Sequence, residues 1–170
     1  MNKNDFRVQF PLWNIALFVI LIIFTYGAVY CADMLFNDFT GAFRLENGRV
    51  VPNLELLRVF SIILGAVLLI LFFISYFIRI RRHNKLHLNQ KLNAFTLLTP
   101  NEFLEDDEMF NQVTRNATKK VYSFYSQMLP LIVVIMLFPI DRYIFIVIIF
   151  LTLIIQNALY YREIRHYIEE

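Results

Sequence analysis

The chain is poor in the residues that punctuate or cross-link a fold. Its 170 residues include 4 Gly, 5 Pro, 1 Cys, 1 Trp and 3 His, and Asp, Glu, Lys and Arg together make up only 18%. The lone cysteine, Cys31, excludes an intrachain disulfide and a Cys-based zinc site. So little Gly and Pro excludes a collagenous or linker-like chain, and no Gly-rich phosphate loop or nucleophile elbow occurs. The formal net charge of +2 is too small to imply nucleic acid, and neither a basic patch with a recognisable fold nor stacking aromatics accompanies it.

What is abundant is apolar: 58% of the residues are hydrophobic and 16% aromatic, against about 45–50% apolar in a soluble domain. Four stretches carry no charge: Val8–Ala32 (25 residues), Val59–Ile78 (20), Val121–Ile140 (20) and Tyr143–Tyr161 (19). About 20 apolar residues let a helix cross about 30 Å of hydrocarbon, and a helix satisfies its own backbone there. The sequence therefore predicts an all-α polytopic membrane protein, a single membrane domain over 1–170. Its four transmembrane helices are expected near 12–36, 56–78, 124–139 and 143–161. The first apolar run exceeds the roughly 7–15 residues of a secretory-signal core and no cleavage site follows, so an uncleaved anchor is expected.

Positive residues are retained on the cytoplasmic side. Lys3, Arg7, Arg79, Arg81, Arg82, Lys85, Lys91, Arg115, Lys119, Lys120, Arg162 and Arg165 share one side of this arrangement, 12 of the 16 basic residues. Both termini and the long middle segment are thus expected in the cytoplasm. The cluster Arg79, Arg81, Arg82 and Lys85 sits where anionic headgroups attract it, at about 1 kcal/mol per residue. On the other side, 37–55 is an outer loop in which Asn47-Gly48, flanked by alternating apolar residues, predicts a small β-hairpin or tight loop acting as a connector.

The segment 79–123 predicts a cytoplasmic antiparallel helical hairpin that extends helices two and three. Thr99-Pro100-Asn101-Glu102 has the form of a capping box with Pro in the first turn, and Glu105, Asp106, Asp107 and Glu108 suit the positive end of a helix dipole. Phe103, Phe110, Val113, Ala117, Val121, Phe124 and Met128 recur at helical spacing, one apolar face running into the third membrane segment. Lys91 is expected near Glu105 and Asp106 across the turn. Phe103, Glu105, Asp106, Asp107, Glu108, Phe110 and Val113 are accordingly the candidate partner-binding residues.

Intramembrane polar groups are the other functional pointers in such a chain. Asp33 and Arg58 lie at similar outer depth and are expected to pair. Asn14, Ser75, Gln127, Gln156 and Asn157 fall toward the inner side and form a candidate hydrogen-bond layer, beneath the kink expected at Pro130. Gly27 and Cys31, Ala28 and Ala32, and Ser61 and Gly65 place small residues four apart, for close packing of helices one and two.

Catalytic patterns are missing. His83 and His87 are four apart but lack the Glu of a His-Glu-x-x-His site, and Cys31 lies across the membrane from every histidine. No catalytic, metal or cofactor site is expected. The Asp107-Glu108, Val113 and Ala117 pattern on a helix entering a membrane segment resembles small four-helix bacterial membrane proteins of uncharacterised function. The resemblance implies that fold and no activity. Richness in Ile, Phe and Asn over Ala points the same way, to a bacterial cytoplasmic membrane. By elimination, the expected function is that of a non-enzymatic accessory, regulatory or immunity-type protein working through a protein partner or a homo-oligomer, with an oligomeric channel or transporter subunit as the alternative.

In a Cys31→Ser background, a cysteine placed at Asn47 is expected to react with a membrane-impermeant maleimide in intact cells. Labelling only after the membrane is opened would reverse the orientation.

Overall fold

The computed structural model describes residues 6, 8–37, 39, 41, 43–46, 49–86, 92 and 108–169. Four long helices and one short hairpin follow in chain order: α1 (Phe10–Phe36), β1 (Phe43–Glu46), β2 (Arg49–Pro52), α2 (Leu56–Leu86), α3 (Glu108–Ile135) and α4 (Arg142–Glu169). Helices α1, α2 and α4 are long and apolar enough to cross a membrane. Few of the residues in these apolar stretches are buried, and large side chains such as Val19, Ile63, Ile70 and Leu151 are exposed. That is the pattern expected where lipid rather than protein covers the apolar surface.

Local chemistry accounts for the helix ends. Pro11 lies in the first turn of α1, where its fixed φ suits a helix and its missing N–H costs nothing. At the other end Asn37 closes the helix, its backbone N–H donating to the Asp33 carbonyl and its Nδ2 to Asp33 Oδ1, both at 2.9 Å. The Asp141 carboxylate caps α4 by accepting the Tyr143 N–H at 2.7 Å.

The helices are arranged in the order α2–α1–α4–α3, with α1 packed between α2 and α4, and α3 packed on α4. Close approach makes the α1–α2 contact. A Cβ on Gly27 would collide with the Arg58 carbonyl and lie 2.5 Å from Ile62 Cγ1, and one on Gly65 would lie 2.7 Å from Phe24 Cα. The small-residue spacing thus serves the contact within the chain. Between α1 and α4 the fillers are larger: Phe18 stacks on Phe150 at 5.9 Å and Tyr26 meets Tyr143 edge-on at 5.0 Å.

At the end of the row that carries both termini, the chain leading into α1 wedges between helices. Phe6 and Phe10 pack with Tyr76, Ile80 and Leu92, with Trp13 alongside. Val8, facing the other way, packs with Val113 of α3 and Ile164 of α4. Asn84 closes the end of α2 by clamping the Leu92 backbone, Nδ2 donating to its carbonyl at 2.9 Å and Oδ1 accepting its N–H at 2.8 Å.

The third apolar segment differs from expectation. α3 is one unbroken helix from Glu108 through Pro130, but it stops at Ile135 rather than continuing to Pro139. Met136 N–H still bonds Ile132 O at 3.0 Å, but the next two residues tighten into i→i+3 bonds, with Leu137 N–H on Val134 O and Phe138 N–H on Ile135 O, both at 3.1 Å. Pro139, which offers no amide and restricts the residue before it, ends the segment.

The expected pairing of α2 and α3 as hairpin arms also differs. Their helical extensions reach Leu86 and begin at Glu108, but the two helices lie at opposite ends of the row. The seam of Val113, Ala117 and Val121 is buried where α3 lies on α4, with Val8 and Ile164 against Val113. The expected turn at Leu98 and Thr99, the capping box and the Lys91 contacts lie outside the described residues.

Strands β1 and β2 pair antiparallel with Arg44 opposite Val51 and Glu46 opposite Arg49. Two residues, Asn47 and Gly48, connect them and lie outside the described residues.

Replacing Gly27 or Gly65 by Ala is expected to cost about 1–3 kcal/mol through overpacking. Ile63→Ala on the exposed side of α2 should cost about 0.5 kcal/mol or less. Unfolding midpoints of the purified protein in detergent provide the comparison.

Candidate functional site

Polar side chains gather at two levels. The first is a cleft at the hairpin end, bounded by the end of α1, the approach to α2 and the α3–α4 turn. Asp33, one turn before the end of α1, accepts from Arg142 Nη1 at 2.8 Å across the α1–α4 contact. Arg58 does not reach Asp33. Its Nε lies 2.7 Å from Glu55 Oε2, and its guanidinium lies over the Tyr30 ring at 4.6 Å. The expected Asp33–Arg58 pair is therefore replaced by two others, because Glu55 stands one turn before Arg58 while α4 delivers Arg142 to Asp33. The Tyr30 hydroxyl ties the cleft together, donating to Asn53 O at 3.0 Å and accepting the Glu55 N–H at 3.3 Å. Asp33, Asn37, Asn53, Glu55, Asp141 and Arg142 thereby line a cavity of about 620 Å³.

The second level lies toward the terminus end. Asn14 Nδ2 donates to Asn157 Oδ1 at 3.3 Å, and Asn157 Nδ2 donates to the Leu153 carbonyl at 2.8 Å. One residue earlier on α4, Gln156 faces α3 and accepts from the Tyr125 hydroxyl at 2.6 Å. Three of the five expected layer residues are thus held by hydrogen bonds across α1, α4 and α3. Gln127 and Ser75 are not among them; both lie exposed, on α3 and α2. Nearer the end of α4, Lys120 Nζ lies 2.6 Å from both carboxylate oxygens of Glu163.

The sequence pointed to Asn14, Gln156 and Asn157 but not to Tyr125, Lys120, Glu163, Arg142, Tyr30 or Glu55. Neighbours on different helices carry no spacing signal, and Lys120 and Arg142 entered only the count of basic residues. Of the candidate partner-binding residues, Val113 is buried with Val8 and Ile164 and cannot serve as a contact. Glu108 and Phe110 lie in the first turn of α3, while Phe103, Glu105, Asp106 and Asp107 lie outside the described residues. The basic residues Arg79, Arg81, Arg82 and Lys85 occupy the last two turns of α2 and are exposed. His83, between them, is buried against the Phe6 ring at 6.2 Å.

Among the described residues no three His, Cys, Asp or Glu side chains assemble as a metal site. Both levels hold pairwise hydrogen bonds and ion pairs, an arrangement that positions helices and offers polar contacts to a ligand. The chain is helical, with three helices long and apolar enough to cross a membrane, consistent with an integral membrane protein. Compared with protein-family models, curated proteins and solved structures, it matches none.

The two interhelical ion pairs differ in burial. Glu163 is 11% exposed at its side chain, whereas Arg142 and Asp33 are 67% and 42% exposed. Lys120→Met strands a buried carboxylate and is expected to cost about 1–3 kcal/mol. Arg142→Met leaves Asp33 solvated and should cost about 0–1 kcal/mol. Equal shifts in denaturant midpoint for the two variants would contradict this ranking.

Proposed function

We propose that the protein is a non-enzymatic integral membrane accessory, regulatory or immunity-type protein. It crosses the bilayer four times with both termini in the cytoplasm and acts by presenting a cytoplasmic helical surface to a protein partner. α3 supplies the fourth crossing. Its charge-free helical part, Val121–Ile135, is 15 residues, about 22 Å at about 1.5 Å per residue. The apolar turn Met136–Ile140 makes up most of the remaining thickness.

The observation that carries the function is the docking of the first half of α3 on the end of α4. Val113, Ala117 and the Lys120–Glu163 pair hold one face of α3 in place, while Gln112, Arg115 and Lys119 stand exposed on the other. A charged helical face on a braced support, entered from the acidic run Glu105–Glu108, suits recognition of a protein with complementary charge. The basic residues Arg79, Arg81, Arg82 and Lys85 hold the same end against anionic headgroups.

An oligomeric channel or transporter subunit is the second reading, favoured by Ser123, Ser126 and Gln127, which lie exposed on α3. Pro130 lacks the amide that would bond the Ser126 carbonyl. In lipid such groups seek partners, and another copy would provide them.

Affinity isolation of the tagged protein from its native membrane in mild detergent separates the two. A stoichiometric unrelated partner is expected, retained by the wild type and lost from an Asp106→Lys/Asp107→Lys variant. A homo-oligomer alone, unchanged in that variant and weakened by Gln127→Leu, would replace the accessory function with the oligomeric one.

A further inference from the structure

The polar cleft at the hairpin end has an apolar neighbour. A second cavity, about 300 Å³, is lined by Ile135, Met136, Phe138, Ile140, Phe145 and Ile146, together with Arg142. Ile140 and Arg142 line both cavities, so the two adjoin at the start of α4. Their polarity is ordered along that helix. Asp141 and Arg142 face the polar cleft, while Phe145 and Ile146, one turn further into the apolar segment, face the apolar cavity. Both volumes fall within the roughly 300–1,000 Å³ of small-molecule sites.

We propose that these joined cavities seat one phospholipid with a primary ammonium headgroup, of the phosphatidylethanolamine class. The inference rests on the row of helices crossing a bilayer, since only then does the apolar cavity lie level with acyl chains and the polar one level with headgroups. One acyl chain lies along Phe138, Phe145 and Ile146. The phosphate meets Arg142, whose Nη1 is engaged by Asp33 while its planar fork carries further donors and its side chain is largely exposed.

Charge selects the ammonium. The polar wall carries three carboxylates, Asp33, Glu55 and Asp141, against the single guanidinium of Arg142. Arg142 offsets Asp33 and the neighbouring Arg58 offsets Glu55, which leaves the Asp141 carboxylate over. Its Oδ1 accepts the Tyr143 N–H, and an ionised carboxylate has a second oxygen that can accept a further donor. A primary ammonium has three N–H donors for Asp141 and the amide oxygens of Asn37 or Asn53. A trimethylammonium has none, and an anionic glycerol headgroup adds charge of the wrong sign.

The test uses the full-length protein in phosphatidylcholine nanodiscs, with trace chain-labelled spin probes of phosphatidylethanolamine, phosphatidylcholine or phosphatidylglycerol. The motionally restricted component of the electron paramagnetic resonance spectrum is measured for each. Phosphatidylethanolamine is expected to associate about fivefold more strongly than the other two, the scale of one charged hydrogen-bonded contact. Asp141→Asn should abolish that preference while keeping α4 capped, because Asn caps as well as Asp. Ile140→Trp, on the exposed turn at the junction, should block the site sterically and lower restricted phosphatidylethanolamine to the level of the other lipids. Equal association of all three probes, a preference for phosphatidylglycerol, or a preference untouched by both substitutions would overturn the site. Failure of the protein to enter nanodiscs at all would overturn the membrane reading and the site with it.

Discussion

The arrangement depends first on how closely α1 approaches its neighbours. At Gly27 and Gly65 the backbones of α1 and α2 come near enough that a single methyl group would collide. Within hydrocarbon the hydrophobic effect no longer drives helices together, so dispersion contacts of this kind must hold the pair. α1 also makes the aromatic contact with α4, through Phe18 and Tyr26. Separating α1 would leave α2 without its main neighbour and α4 with α3 alone.

Polar contacts divide between the two ends of the bundle. At the hairpin end the ion pairs of Asp33 with Arg142 and Glu55 with Arg58 are exposed, and water or headgroups screen them. They locate the helix ends more than they stabilise them. Toward the terminus end the pairs are better covered: Asn14 with Asn157, Tyr125 with Gln156, and Lys120 with the buried Glu163. These cross three helices and set the rotation of α3 on α4, which in turn decides which face of α3 the aqueous phase meets. A site for a partner at one end and for an amphiphile at the other are compatible, because the two use opposite ends of α4.

Much of the backbone plan was legible from residues 8–161. Long charge-free runs force helices, and α1 and α2 begin close to the expected positions. Asn47-Gly48 marked the hairpin because strands of this spacing need a two-residue connection. Two expectations failed for the same reason. The Asp33–Arg58 pair was inferred from equal depth on consecutive helices, and the α2–α3 hairpin from their being consecutive in the chain. Neither inference contained the order of helices around the bundle, and it is that order which gives Asp33 to Arg142 and the Val113 seam to α4.

The amino-acid sequence by itself determined the class of structure, the helical segments and the polar residues that needed partners, because hydropathy and turn chemistry act over short stretches of chain. Only the tertiary structure decided the row α2–α1–α4–α3, the partners of Asp33, Gln156 and Glu163, and the adjoining polar and apolar cavities at Arg142. Those features depend on which helices touch. Helices of similar length that are apolar on every side, as α1 and α4 are, carry little of that choice in their residue patterns; it comes from local shape across a contact, as where Phe24 of α1 lies against Gly65 of α2.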